Sequence, residues 1–158
     1  MRNSPGVDTG AQDAADTGPE ALGHALRRAE LALVGRKRGA LRAFDLTVPQ
    51  YDTLTLLSRA DGMSAAQLAR ACLVTPQTMA TVLSNLEDKG LVERRPSPLH
   101  QKVLVTCVTE EGRAVAARGR TAVAGVMDRL TGGFSAAETA EFRRLLDRAA
   151  DLLEPSDD

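Results

Sequence analysis

The segment from Met63 to Thr109 constrains the fold more than any other part of the chain. Ser64-Ala65-Ala66-Gln67 is a capping-box pattern, in which a hydroxyl caps a helix start and a glutamine reaches back. Leu68 and Ala71 then supply the apolar face of a short helix. Thr75-Pro76 places a second N-cap before a proline at the first helical position. Met79, Val82, Leu83 and Leu86 follow at helical spacing, and Lys89-Gly90 closes that helix with a cation and a C′ glycine. Leu91 to Arg95 and Val103 to Cys107 read as short strands around a proline-rich tip, Pro96 to Gln101. The order predicts two short helices joined by a tight turn, followed by a β-hairpin. That is a helix-turn-helix with a wing.

The flanks read as helices. Leu22, Leu26, Ala29 and Leu33 recur at steps of four, three and four from Glu20 onward, with Gly35 and Gly39 interrupting the pattern. The polar face of this helix carries Arg27, Arg28, Arg36, Lys37, Arg38 and Arg42, a run that reads as a solvated face or as a contact to a nucleic-acid backbone. Thr47-Val48-Pro49-Gln50 is another capping box, opening a helix with Tyr51, Leu54 and Leu57 and ending at Asp61-Gly62. Thr109 caps a helix with Glu110 and Glu111 in its first turn, and Val115, Ala122, Val126 and Leu130 mark its buried stripe. Gly132-Gly133 breaks it. Ser135 and Glu138 open the last helix, whose apolar stripe is Phe142, Leu145, Leu146, Ala149, Leu152 and Leu153.

This gives an organisation of a disordered tail over 1–19, an N-terminal helix over 20–46, the winged helix-turn-helix over 47–108, two C-terminal helices over 109–154 and a short tail over 155–158. The fold class is mainly α with a small β-hairpin. At 158 residues one domain is expected. The net charge of −1 excludes a polycationic nucleic-acid coat, so any DNA contact must come from local charge and geometry. Between Ser64 and Thr109 five Lys/Arg face three acids, a balance of +2 that implies few ionic contacts and a strong salt dependence. Arginine outnumbers lysine 17 to 3, as in proteins of GC-rich bacterial genomes. Two cysteines make no disulfide framework, and no apolar run is long enough for a membrane span, so a cytoplasmic protein is expected.

With these elements placed, the chain resembles the MarR family of winged helix-turn-helix regulators. The likeness is carried by Leu46-Thr47-Val48-Pro49-Gln50-Tyr51, Leu68-Ala69-Arg70, Val74-Thr75-Pro76-Gln77-Thr78-Met79, Leu86-Glu87-Asp88-Lys89-Gly90-Leu91-Val92-Glu93-Arg94 and Val108-Thr109-Glu110-Glu111-Gly112, in that order. The resemblance implies a homodimer whose first and last two helices interlock and whose two recognition helices read a pseudo-palindromic operator in double-stranded DNA. Leu22, Val126, Leu130, Phe142, Leu146 and Leu153 are the residues assigned to that dimer interface. Relatives hold small phenolic or aromatic ligands in a crevice between the dimer helices and the DNA-binding lobe. The residues nearest such a crevice are Leu26, Phe44, Tyr51 and Met127, which serve equally well as plain core. The family's wing carries an Asp-Arg-Arg-like run where this chain has His100, Gln101 and Lys102, and an arginine is common where this chain has Thr81.

On the helix opening at Pro76, the apolar residues point inward and leave Gln77, Thr78, Thr81 and Asn85 outward. Glutamine pairs with adenine in a bidentate way, and threonine offers a hydroxyl and a methyl for thymine. Phosphates would be positioned by the helix starts at Ser64 and Thr75 and by Arg70, Arg94, Arg95 and Lys102. No catalytic or metal-ligating set emerges: His24 and His100 lie in no nucleophile motif, and Cys72, Cys107 and His100 lack a fourth ligand. No cofactor is expected. The reading is a dimeric, ligand-released repressor. A thiol-based redox regulator on the same scaffold and a protein-binding winged helix are the alternatives.

Overall fold

The computed structural model describes residues 18–97 and 104–153. The elements among them are α1 (Pro19–Leu41), a single 3-10 turn (Arg42–Phe44), α2 (Val48–Leu57), α3 (Ala65–Ala71), α4 (Pro76–Asp88), β1 (Val92–Pro96), β2 (Leu104–Val108), α5 (Glu110–Thr131) and α6 (Ala136–Leu153). The chain divides into two compact units, Met1–Arg36 and Lys37–Asp158. The described part of the first is the N-terminal stretch of α1, in which Leu22, Leu26 and Leu31 are exposed. Gly35 and Gly39 do not interrupt α1, which is continuous to Leu41. Both glycines face open space, so no packing requirement breaks the helix there.

The second unit is built around α2. Thr47 accepts from the Gln50 amide while the Gln50 side chain accepts from the Thr47 amide at 3.0 Å, completing the capping box. Gln50, Tyr51, Thr53, Leu54 and Leu57 are all buried, so this helix is surrounded rather than amphipathic. It ends at Leu57, four residues before the Asp61-Gly62 turn expected to stop it, and Ser58 closes it by donating to the Leu54 carbonyl at 2.7 Å. Thr53 is fully buried: its hydroxyl donates to the Pro49 carbonyl at 2.8 Å and lies 3.7 Å from Cys72 Sγ and 3.8 Å from Met79 Sδ. That contact set ties α2 to the turn after α3 and to α4.

α5 crosses α2 closely. A Cβ on Gly119 would stand 3.1 Å from the Tyr51 ring and 3.3 Å from Leu41 Cδ2, so the missing side chain sets the approach. The buried stripe of α5 is Gly112, Val115, Ala116, Gly119 and Val123. Of the stripe read from the sequence only Val115 belongs to it, while Ala122 and Val126 are half-buried and Leu130 is exposed. The expected period was right and its phase was shifted, because the glycines rather than the larger residues make the closest approach.

β1 begins one residue later than expected, and both strands run one residue further, to Pro96 and Val108. Leu91 is drawn out of β1 because its amide donates to the Leu86 carbonyl at 2.9 Å, closing α4 beyond Gly90 (φ +67°), and its carbonyl accepts from the Thr109 amide at 3.1 Å. β1 and β2 pair antiparallel from Val92↔Val108 to Pro96↔Leu104, and Met63 adds an isolated antiparallel bridge to Thr106. Val103, Lys102 and 98–101 of the tip lie outside the described residues, as do 1–17 of the tail expected over 1–19, residue 154, and the tail expected over 155–158.

Candidate nucleic-acid interface

α3 and α4 form the helix-turn-helix. Ser64 and Gln67 complete a capping box at the start of α3, with the Gln67 side chain accepting from the Ser64 amide at 2.8 Å. Thr75 caps α4 by accepting from the Thr78 amide at 3.1 Å, and its hydroxyl also meets that of Thr78 at 2.8 Å. Both cap side chains are therefore committed to their own helices. The turn between the helices passes through Leu73 in a left-handed conformation, φ +54°, with its side chain 92% exposed.

α4 buries Met79, Val82, Leu83 and Leu86 on one side. Gln77, Thr78, Thr81 and Asn85 are all exposed on the remainder, as the 3.6-residue period requires. The Thr81 hydroxyl donates to the Gln77 carbonyl at 3.2 Å, which leaves its oxygen free to accept. Gln77 and Asn85 side chains are engaged by no hydrogen bond among the described residues. The apolar half anchors the helix in the core, and the polar half is a ridge of hydrogen-bonding groups.

The cations divide into two kinds. Arg94 pairs with Glu87 of α4 at 3.4 Å and Arg95 pairs with Glu93 on its own strand. Arg70 is exposed and forms no ion pair among the described residues. His100, Gln101 and Lys102 lie outside the described residues. The C-cap of α4 is held from below, because Lys89 Nζ stands 2.7 Å from Asp45 Oδ2 and also donates to the Asp45 carbonyl.

The four residues expected near a ligand crevice differ in burial. Tyr51 is core, Phe44 and Met127 pack partly buried against that core, and Leu26 belongs to the first unit with an exposed side chain. Two cavities do occur in the second unit. One, of about 210 Å³, is an apolar cleft between the end of α5 and α6, with Met127, Leu130, Leu146 and the stacked rings of Phe134 and Phe142. The other, about 540 Å³, opens at the root of the wing among Asp61, Glu93, Arg95, Cys107, Glu110 and Arg113. No local pattern in the sequence marks it, since its lining comes from three separate stretches of the chain.

Of the interface residues assigned from the resemblance, Leu22, Leu130, Phe142, Leu146 and Leu153 are exposed, and Val126 is half-buried. α6 has no buried residue despite its apolar stripe. Cys72 and Cys107 are free and half-buried. Burial raises the pKa of Cys72 above that of an ordinary thiol, the hydrogen bond to Thr53 opposes this, and the Asp52 carboxylate reinforces it. Cys107 Sγ donates to the Asp61 carbonyl at 3.4 Å. None of the described helices is long and apolar enough to cross a membrane.

A core-anchored helix with a polar outer ridge, entered by a tight turn and flanked by a paired hairpin, is a winged helix-turn-helix. A sequence model of the MarR family matches residues 44–102. The HTH-type transcriptional repressor Rv2887 of Mycobacterium tuberculosis is 38% identical over 134 residues, covering 85% of this chain and 95% of the relative. Among solved structures, the same mycobacterial protein in complex with DNA matches with a TM-score of 0.63 at 36% identity, covering 81% of this chain and 96% of that one. Its complex with salicylic acid matches with a TM-score of 0.66 at 38% identity, covering 85% and 98%. The chain belongs to the MarR family.

Proposed function

We propose that this protein is a homodimeric transcriptional repressor that reads a pseudo-palindromic operator with α4 and is released by a small aromatic or phenolic ligand in the cytoplasm. The observation that carries the reading is the exposed row Gln77, Thr78, Thr81 and Asn85, opposite a fully buried apolar row on the same helix. A polar ridge of this kind inserts into the major groove and presents donors and acceptors to base edges. Arg70 supplies a free cation for phosphate. Arg94 and Arg95 join it only by exchanging their carboxylate partners for phosphates. In this reading the segment 47–108 binds DNA while 20–46 and 109–154 form the dimer. The names of the similar proteins support it: one relative is a repressor, with structures that hold DNA and salicylic acid.

The thiol-based alternative gains nothing from Cys72, since a raised pKa leaves little thiolate to react with an oxidant. No feature among the described residues favours the protein-binding alternative. The deciding experiment is a titration of the purified protein against DNA from immediately upstream of its own gene, at two salt concentrations. The expected result is binding tighter than to random DNA, one dimer per site, and weaker at the higher salt. Binding no tighter than random DNA, both there and for fragments selected from the whole genome, overturns the proposal.

A further inference from the structure

The cleft at the wing root stands apart from the DNA-reading ridge. Strand alternation places it: Arg94 turns toward α4 and pairs with Glu87, so Glu93 and Arg95 project from the opposite face of the hairpin. Cys107, the register partner of Glu93, lies beside them. The loop with Asp61 makes one wall, and the first turns of α5, with Glu110 and Arg113, make another. At about 540 Å³ the cleft falls within the range of small-molecule sites.

Its charges decide what fits. Glu93 and Arg95 neutralise each other. Glu110 sits in the first turn of α5, where the helix dipole stabilises its carboxylate. Asp61 and Arg113 are both exposed, and among the described residues neither side chain has an ion pair or a hydrogen bond. Counting Glu110, two carboxylates and one guanidinium lack an ion-pair partner among the described residues; Glu110 stays with its own helix end, which leaves Asp61 and Arg113 facing the cleft from different walls. That pair is poorly suited to a simple anion or a simple cation, and well suited to a molecule that carries both charges.

We propose that the wing-root cleft binds an amphoteric molecule of amino-acid size, with its carboxylate on Arg113 and its ammonium on Asp61, and that occupancy displaces the wing. The displacement rests on the regulatory reading above; the binding does not. Both walls touch the hairpin without slack. A Cβ on Gly62, next to Asp61, would lie 2.8 Å from Val105 Cγ2 and 3.1 Å from Cys107 Sγ. Met63 and Thr106 exchange backbone hydrogen bonds of 3.0 and 2.9 Å. A Cβ on Gly112, next to Arg113, would lie 2.8 Å from Cγ2 of Val108 in β2 and 2.1 Å from the Leu91 carbonyl oxygen just before β1. Drawing Asp61 and Arg113 toward a ligand must then move β1 and β2, since packed seams shift as units.

The test is thermal unfolding of the full-length protein with each proteinogenic L-amino acid in turn, followed by DNA titration with and without any that binds. At least one amino acid is expected to raise Tm by about 3 °C or more. Arg113→Met and Asp61→Asn, both at exposed positions, are expected to abolish that rise while leaving DNA affinity in the absence of ligand unchanged. No rise with any amino acid, or a rise retained in both variants, overturns the site. A rise that leaves DNA affinity unaltered keeps the site and overturns its coupling to the wing. Because Tm reads binding without DNA, failure of the repressor reading would leave this result intact.

Discussion

Three residues leave the right-handed region at the ends of helical elements, and they show how residue type and position trade against each other. Asp45, Leu73 and Gly90 have φ of +50°, +54° and +67°, and the residue after each donates back into its helix: Leu46 to Leu41, Val74 to Ala69, Leu91 to Leu86. Glycine meets this geometry at no steric cost, and aspartate tolerates it. Leucine pays roughly 1–2 kcal/mol for it. Its side chain recovers little of this by burial, being almost wholly exposed. Leu73→Gly is therefore expected to stabilise the fold by about 1 kcal/mol after the extra entropy of glycine is subtracted. A urea midpoint raised at unchanged slope would show it, and a lowered midpoint would mean that Leu73 has contacts worth more than the strain. Gly112 is the opposite case. A methyl there would overlap the Leu91 carbonyl, so Gly112→Ala should cost at least about 2 kcal/mol, read as a lower urea midpoint.

At the scale of elements, local signals were legible and tertiary ones were not. Thr47, Ser64, Thr75 and Thr109 each cap the helix the sequence assigned to them, because a cap needs only a side chain and an amide three residues away. The buried row of α4 was legible for the same reason, since its period is fixed by its own backbone. The phase of α5 was not. Its stripe is set by where Gly112 and Gly119 allow Leu91 and Tyr51 to approach, and small residues carry no hydrophobic signal. Thr53 carries no core signal in the sequence, because a buried threonine looks polar until Cys72 and Met79 are brought to it. The one-residue slip of β1 belongs here too, for the bond that removes Leu91 comes from the end of α4. The strongest check at this scale is on Thr109, whose hydroxyl accepts from the Gly112 amide at 3.0 Å and donates to the Gly90 carbonyl at 2.8 Å. Thr109→Ala should cost about 1–2 kcal/mol by loss of both, measured in the same denaturation assay.

At the scale of the whole molecule, large apolar side chains stand uncovered on two helices. Leu22, Leu26 and Leu31 on α1 and Phe142, Leu145, Leu146, Leu152 and Leu153 on α6 are exposed. Helices with an uncovered apolar stripe are completed by another surface, and a second copy of the chain supplies one. Leu146→Asp puts a charge in that stripe and should convert the dimer to monomer in sedimentation; a variant that stays dimeric would move the interface elsewhere. Such a dimer carries two copies of α4, and the central claim is that each reads bases through its polar row. The most direct test compares wild type and Gln77→Ala on a selected operator and on random DNA of equal length. The account predicts a loss of about 1–3 kcal/mol on the operator and no change on random DNA. An equal loss on both would contradict it, leaving Gln77 a contact to the backbone and the row on α4 without a role in sequence recognition.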